Sequence, residues 1–247
     1  MLRFKILSRM AHFKTNFISC SRNDDSIQKQ FIKTSHYYDR ILSRSIKYLE
    51  LGCKLKMKKH KFYNYLLIDA RALYNLLDDI SGLPTLNDLV LFKSTIIYIG
   101  KGCKNRKNAH FLEIGKMLAG GSRRDVNLPS RLKNILNIWS KGCGVVVLEF
   151  LNNSNNYVSL CRENAMIHAA GVHLTNLIKG TAYGAMKTSW TKTDVVMFGD
   201  ALLFSALQKC IKDKPKPLMQ SDFVKPKKYI FNSYYELKGI IDCFLEM

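Results

Sequence analysis

Tyr98 stands in the β-branched run Ser94-Thr-Ile-Ile-Tyr98-Ile-Gly100-Lys101-Gly102. A run of this kind followed by Gly-x-Gly reads as a buried strand ending in a tight turn, where glycine lets backbone approach backbone or a ligand closely. A phenol at such a strand end is held by the sheet and still faces a cleft, a position suited to chemistry; the alternative is a core tyrosine bonded to the turn. The next stretch, Cys103 to Gly120, is helix-like and opens with Lys104, Arg106 and Lys107. The N–H groups of its first turn and these cations would together suit a phosphate. Glu163 is flanked by Ala165, Met166, Ile167, Ala169 and Ala170. It reads either as a metal ligand or as a carboxylate that favours a helix dipole. Asn176, in the loop that continues to Tyr183-Gly184, would fix a phosphate or an inner turn.

The elements that must position these residues follow from pattern. Phe62 to Asp69 is aromatic and branched and predicts a strand; Gly82-Leu-Pro84 predicts a turn between helix-like pieces; the Tyr98 strand follows, so the two strands form a hairpin with a long connection. Pro129 to Trp139 predicts a helix with Leu132, Ile135, Leu136 and Trp139 turned inward, and Gly144 to Phe150 a third buried strand followed by a polar turn at Asn152 to Asn156. Ser159 to Ala170, closed by Gly171, and Val195 to Cys210 predict two more helices. The expected class is α+β, a small three-stranded and mainly antiparallel sheet flanked by helices.

Outside this body, residues 1–60 form a basic, helix-rich extension. Residues 1–23 carry Arg3, Lys5, Arg9, Lys14 and Arg22 with no acid, and place Leu2, Ile6, Met10, Phe13 and Phe17 on one helical face. That composition fits a mitochondrial presequence or a basic helix that docks on the domain or on DNA. Residues 25–51 predict a helix that buries Ile27, Phe31, Ile41, Ile46 and Leu49, and the run that follows includes Lys58 and Lys59. After residue 211, Lys212 to Lys228 holds three of the five prolines and reads as a basic linker to a C-terminal strand and helix.

With 247 residues, 47% of them hydrophobic, the chain buries a real core and is not disordered. Its charge of +20, from 39 Lys and Arg against 19 Asp and Glu, favours a polyanionic partner, nucleic acid or an anionic membrane surface. No run of apolar residues is long enough for a transmembrane helix. Seven scattered cysteines, without Cys-x-x-Cys, point to reduced thiols in an intracellular compartment and to no structural zinc. The nucleus and cytoplasm are the expected locations, with the mitochondrion open through the N-terminus.

Taken together, these residues resemble the GIY-YIG nuclease superfamily. The closer resemblance is to the nuclease domain of the ankyrin-repeat and LEM-domain endonucleases. It rests on Tyr65-Leu-Leu-Ile-Asp69-Ala-Arg71, on Tyr98-Ile-Gly-Lys-Gly102 with His110, on Arg162-Glu163-x-Ala-Met-Ile, and on Leu174-Thr-Asn176 with Tyr183-Gly184. It covers a domain over residues 61–211 and implies metal-dependent hydrolysis of a DNA phosphodiester, with branched or flap DNA as the substrate class. The implied site has Glu163 holding one divalent cation, Mg²⁺ or Mn²⁺, with Tyr65 or Tyr98 as the base for water. Arg106 would clamp the phosphate, Asn176 would orient the site, and His110 would assist or hold a tyrosine. Gly100 belongs to the same motif. The expected DNA-contacting cations are Lys101, Lys104, Lys107, Arg123 and Arg124, with Lys58 and Lys59. The first motif lacks Gly-Ile, so Tyr63 competes with Tyr65, and Lys104 competes with Arg106 for the phosphate. The rival readings are a nuclease-derived module that binds nucleic acid without cutting it and a basic protein at an anionic membrane surface.

Overall fold

A computed structural model describes residues 35–46, 49, 61–120, 128–176 and 180–223. Lys58, Lys59, Arg123, Arg124 and the whole basic N-terminal stretch lie outside the described residues.

Strand β1 (Phe62–Asp69) is central, and its six inner residues are all buried. A strand buried on both faces needs apolar or aromatic side chains on each, and this explains the near-continuous run that marks it in the sequence. Tyr63, Tyr65 and Leu67 enter one core, while Leu66 and Ile68 enter the other. β1 pairs antiparallel with β2 (Ile96–Cys103) on one side and with β3 (Val145–Ser154) on the other. The connection between β1 and β2 is the long one expected, made of α2 (Ala70–Asp79) and α3 (Leu86–Thr95). Asp69 caps α2, its carboxylate accepting from the Arg71 and Ala72 amides, and Thr85 with Asp88 forms a capping box on α3.

Helices cover both faces of the sheet. On one lie α4 (Ala109–Gly120) and α5 (Ser130–Ser140), whose Phe111, Leu132, Ile135 and Trp139 pack on Tyr63, Tyr65 and Leu67. On the other lie α6 (Asn156–Ala170) and α8 (Lys192–Asp213), after a short α7 (Ala185–Thr188), together with α2, α3 and α1 (residues 35–46). α1 reaches that core through Tyr38, as does Leu49 beyond it, with Ile41 half-buried. Gly199 lets α8 press onto α6, since a Cβ there would sit 2.1 Å from the Ala165 carbonyl oxygen. This close crossing fixes α6, the helix of Glu163.

The α+β class and the antiparallel sheet with flanking helices are as expected, and a short fourth strand, β4 (Pro217–Leu218), adds to β3 to give the order β2-β1-β3-β4. Three local readings change. Ser94 and Thr95 are the last turn of α3, which runs into β2 without a loop, and Gly100 and Gly102 lie within β2 and not in a turn after it. β3 continues through Asn152 to Ser154, so the polar stretch there is strand up to the α6 cap at Asn155. Of the segment read as a linker, the described residues up to Phe223 pack on the body. Phe223 stacks on Phe111 and Trp139, and the Trp139 indole donates to the Leu218 carbonyl at 3.1 Å.

Candidate active site

The register of β1 on β2 sets Tyr65 opposite Gly100 and Tyr63 opposite Gly102. Both rings lie across the neighbouring strand where a side chain would otherwise stand. A Cβ on Gly100 would be 2.6 Å from the Tyr65 ring, and one on Gly102 would be 2.9 Å from the Tyr63 ring. The glycines therefore serve close approach, with a tyrosine ring as the approaching group.

The two phenols then do different work. Tyr63 donates its hydroxyl hydrogen to the Lys104 carbonyl at 2.7 Å and accepts from the Lys107 amide at 3.2 Å. It thereby clamps the β2–α4 loop, in which Lys104 has a left-handed φ of 51° and Arg106 to Asn108 form a single 3-10 turn. Lys107 is paired with Glu149 on β3, which holds the same loop to the sheet. Tyr65 is almost fully buried and lies 3.0 Å from His110 Nε2, near the start of α4. The Tyr98 ring packs edge-on against His110, at 5.0 Å between centroids. Arg131, from the first turn of α5, donates from Nε to His110 Nδ1 at 3.2 Å and pairs with Glu113 at 3.8 Å.

Electrostatics follow from this packing. Burial lowers His110 to about 4, and the charges of Arg131 and Arg106 push it the same way, so the ring is neutral at neutral pH. Burial raises Tyr65, as do Tyr98 and Glu163, while Arg106 opposes the rise. Burial also raises Tyr98, with Glu163 adding to it and Arg131, a hydrogen bond from Tyr65 and Arg106 working against it. Arg106 is itself exposed. Its charge thus reaches all three rings from the solvent side of the site.

Glu163 meets the site along the outer edge of β2. An edge strand leaves N–H and C=O groups unpaired, and here side chains and one backbone amide take them up. Thr175 donates its amide and its hydroxyl to the Ile97 carbonyl. The Asn176 amide group accepts from the Ile99 N–H at 3.0 Å and donates to the Ile99 carbonyl at 2.7 Å, as a paired strand would. Glu163 Oε1 accepts from the Lys101 N–H at 3.0 Å. Burial raises Glu163, opposed by the Lys101 amide and ammonium.

The second oxygen of this pinned carboxylate, Oε2, has no hydrogen-bond partner among the described residues. A single hard oxygen donor fits Mg²⁺ or Mn²⁺, ions that keep several waters and take one or two carboxylates along with substrate phosphate oxygens. No group of three or more His, Cys, Asp or Glu that could hold a metal occurs among the described residues, so a cation here would rest on Glu163 with water and phosphate.

A family model described as the LEM-3-like GIY-YIG domain matches residues 62–225. The chain belongs to the LEM-3-like GIY-YIG family. Over 161 residues it is 28% identical to the Homo sapiens ankyrin repeat and LEM domain-containing protein 1, an alignment covering 65% of this chain and 26% of the relative. It is 30% identical over 148 residues to the Caenorhabditis elegans homolog, covering 58% and 19%. The Mus musculus protein is 27% identical over 161 residues, covering 65% and 29%. The chain thus spans less than a third of the length of these curated relatives. No solved structure matches it.

Within this GIY-YIG domain, Tyr65, Tyr98, Gly100, Arg106, His110 and Glu163 come together around β2 and the start of α4. Asn176 is bonded on both sides to the Ile99 backbone. Lys101 is tied to Asn156 and lies over the Phe62 ring at 4.8 Å, and Lys107 is neutralised by Glu149, whereas Lys104 is exposed. Sequence reasoning missed Arg131, Thr175 and Glu149. Arg131 had one weak signal, a cation next to the inward stripe that begins at Leu132.

Proposed function

We propose that the protein is a metal-dependent DNA endonuclease that hydrolyses phosphodiester bonds, with branched or flap DNA as its substrate class. The observation that carries this reading is the meeting of Tyr98, Tyr65, His110 and the Arg106 charge with the pinned Glu163 carboxylate along one strand. A phenol that has first lost its proton to solvent, with the guanidinium groups of Arg106 and Arg131 offsetting the cost, is a proton acceptor for water whose charge is balanced locally. Arg106, exposed at the mouth, binds the phosphate and offsets the charge that grows on it. The water oxygen bonds to phosphorus, its proton passes to the phenolate, and the bond from phosphorus to the leaving sugar oxygen breaks; that oxygen takes a proton from solvent. A divalent cation on Glu163 supplies Lewis-acid stabilisation of phosphate charge when bound. The relatives named for ankyrin repeats and a LEM domain favour the nucleus over the mitochondrion as the site of action.

The test is cleavage of labelled linear duplex, flap and four-way-junction DNA with Mg²⁺, Mn²⁺ or chelator, native chain beside Glu163→Gln. Metal-dependent cutting of branched DNA by the native chain, lost in the variant, is the expected result. Equal DNA binding by both chains with no cleavage under any metal makes the protein a binding module and overturns the reading.

A further inference from the structure

The series Arg131, His110, Tyr65 has a direction, and the guanidinium sets it. Arginine is a donor only, and its Nε–H points at His110 Nδ1. Nδ1 must therefore be the bare nitrogen of the ring. In a neutral imidazole the proton then sits on Nε2, which donates to the Tyr65 hydroxyl oxygen 3.0 Å away. The Tyr65 oxygen is thus the acceptor at the end of this series. His110 is buried, so water does not compete for either ring nitrogen.

We propose that Arg131 is a positioning residue that locks His110 in the Nε2–H tautomer, so that the imidazole donates to the Tyr65 oxygen and steadies negative charge there when the site takes a proton from water. The opposite tautomer would reverse the series. Tyr65 would then donate to His110 and lose the donor that stabilises its anion. Glu113 completes the arrangement by holding the outer edge of the guanidinium while Nε faces the ring. The low proton affinity of His110, noted above, is consistent with a ring that remains a single-proton donor. This inference rests on the nuclease reading for its consequence and on geometry alone for the tautomer.

Two measurements on the full chain separate those parts. Long-range proton–nitrogen spectra of histidine-labelled protein, with His110 assigned by its loss in His110→Gln, report which ring nitrogen is bare. The expected result is a bare Nδ1 in the native chain and a mixed or reversed tautomer in Arg131→Met. A native Nδ1–H, or an unchanged tautomer in the variant, overturns the inference whether or not the protein cuts DNA. Cleavage rates under saturating DNA then test the consequence. Arg131→Met is expected to lower the rate constant by about 10-fold or more, and to add nothing further in a His110→Gln background. Fold-losses that multiply in the double variant overturn the coupling, whereas a locked tautomer in a protein without nuclease activity removes the function and leaves the positioning role of Arg131 intact.

Discussion

Tyr63 and Tyr65 stand two residues apart on the same face of β1, and strand alternation alone cannot choose between them. Their partners separate them, since Tyr63 is consumed by the Lys104 carbonyl and the Lys107 amide while Tyr65 reaches His110. His110 gives the site a pH signature. Its ordinary value of 6.5 is lowered to about 4 in the fold, chiefly by burial and then by Arg131 and Arg106. Between those values the unfolded chain holds a proton on this imidazole that the folded chain does not, so stability falls as pH drops through the window. The linkage amounts to roughly 3 kcal/mol between pH 8 and pH 4. Denaturant unfolding at a series of pH values should therefore show a steeper acid loss for the native chain than for His110→Gln. Parallel curves for the two would mean that the ring is not buried neutral.

At the scale of elements, β2 shows where sequence and structure part. α5 is legible because its apolar positions follow one helical period, and β1 because its apolar and aromatic run is nearly continuous. The start of β2 is not, because α3 enters it without a loop and Ser94-Thr95 continue a branched run while still helical. Gly100 and Gly102 resemble a turn because a glycine reads alike whether the backbone bends or a ring needs the space. Only the cross-strand register tells the two apart. Arg131 was illegible for a related reason, since its partner lies 21 residues away on another helix. Gly100→Ala is a direct test of the ring-space account. The added methyl meets the buried Tyr65 ring at 2.6 Å, and overpacking of this kind costs about 1–3 kcal/mol. Gly199→Ala, at the α6–α8 crossing, brings its methyl to 2.1 Å from helix backbone and should cost at least as much. At a temperature where both variants are fully folded, Gly100→Ala should still cut DNA more slowly than Gly199→Ala, because it displaces a site ring. Equal cleavage by the two would mean that Gly100 serves the fold alone.

For the whole molecule the dominant fact is the charge of +20, which favours a polyanion without saying which lysines meet it. The fold distinguishes the candidates by their partners. Lys107 is paired with Glu149, and Lys101 is held by Asn156 over an aromatic ring, whereas Lys104 and Arg106 are exposed on the loop that Tyr63 clamps. Each phosphate contact releases counterions and adds about 0.9 to the slope of log affinity against log salt. Arg106→Gln and Lys104→Gln should each flatten that slope by ~1 in titrations of catalytically silent Glu163→Gln protein with duplex DNA in chelator. Lys107→Gln should leave the slope unchanged, because its charge is already balanced within the fold. A loss of slope at Lys107 equal to that at Arg106 would mean that DNA draws Lys107 away from Glu149. The loop would then move on binding, and the clamp formed by Tyr63 would be the part of the site to re-examine.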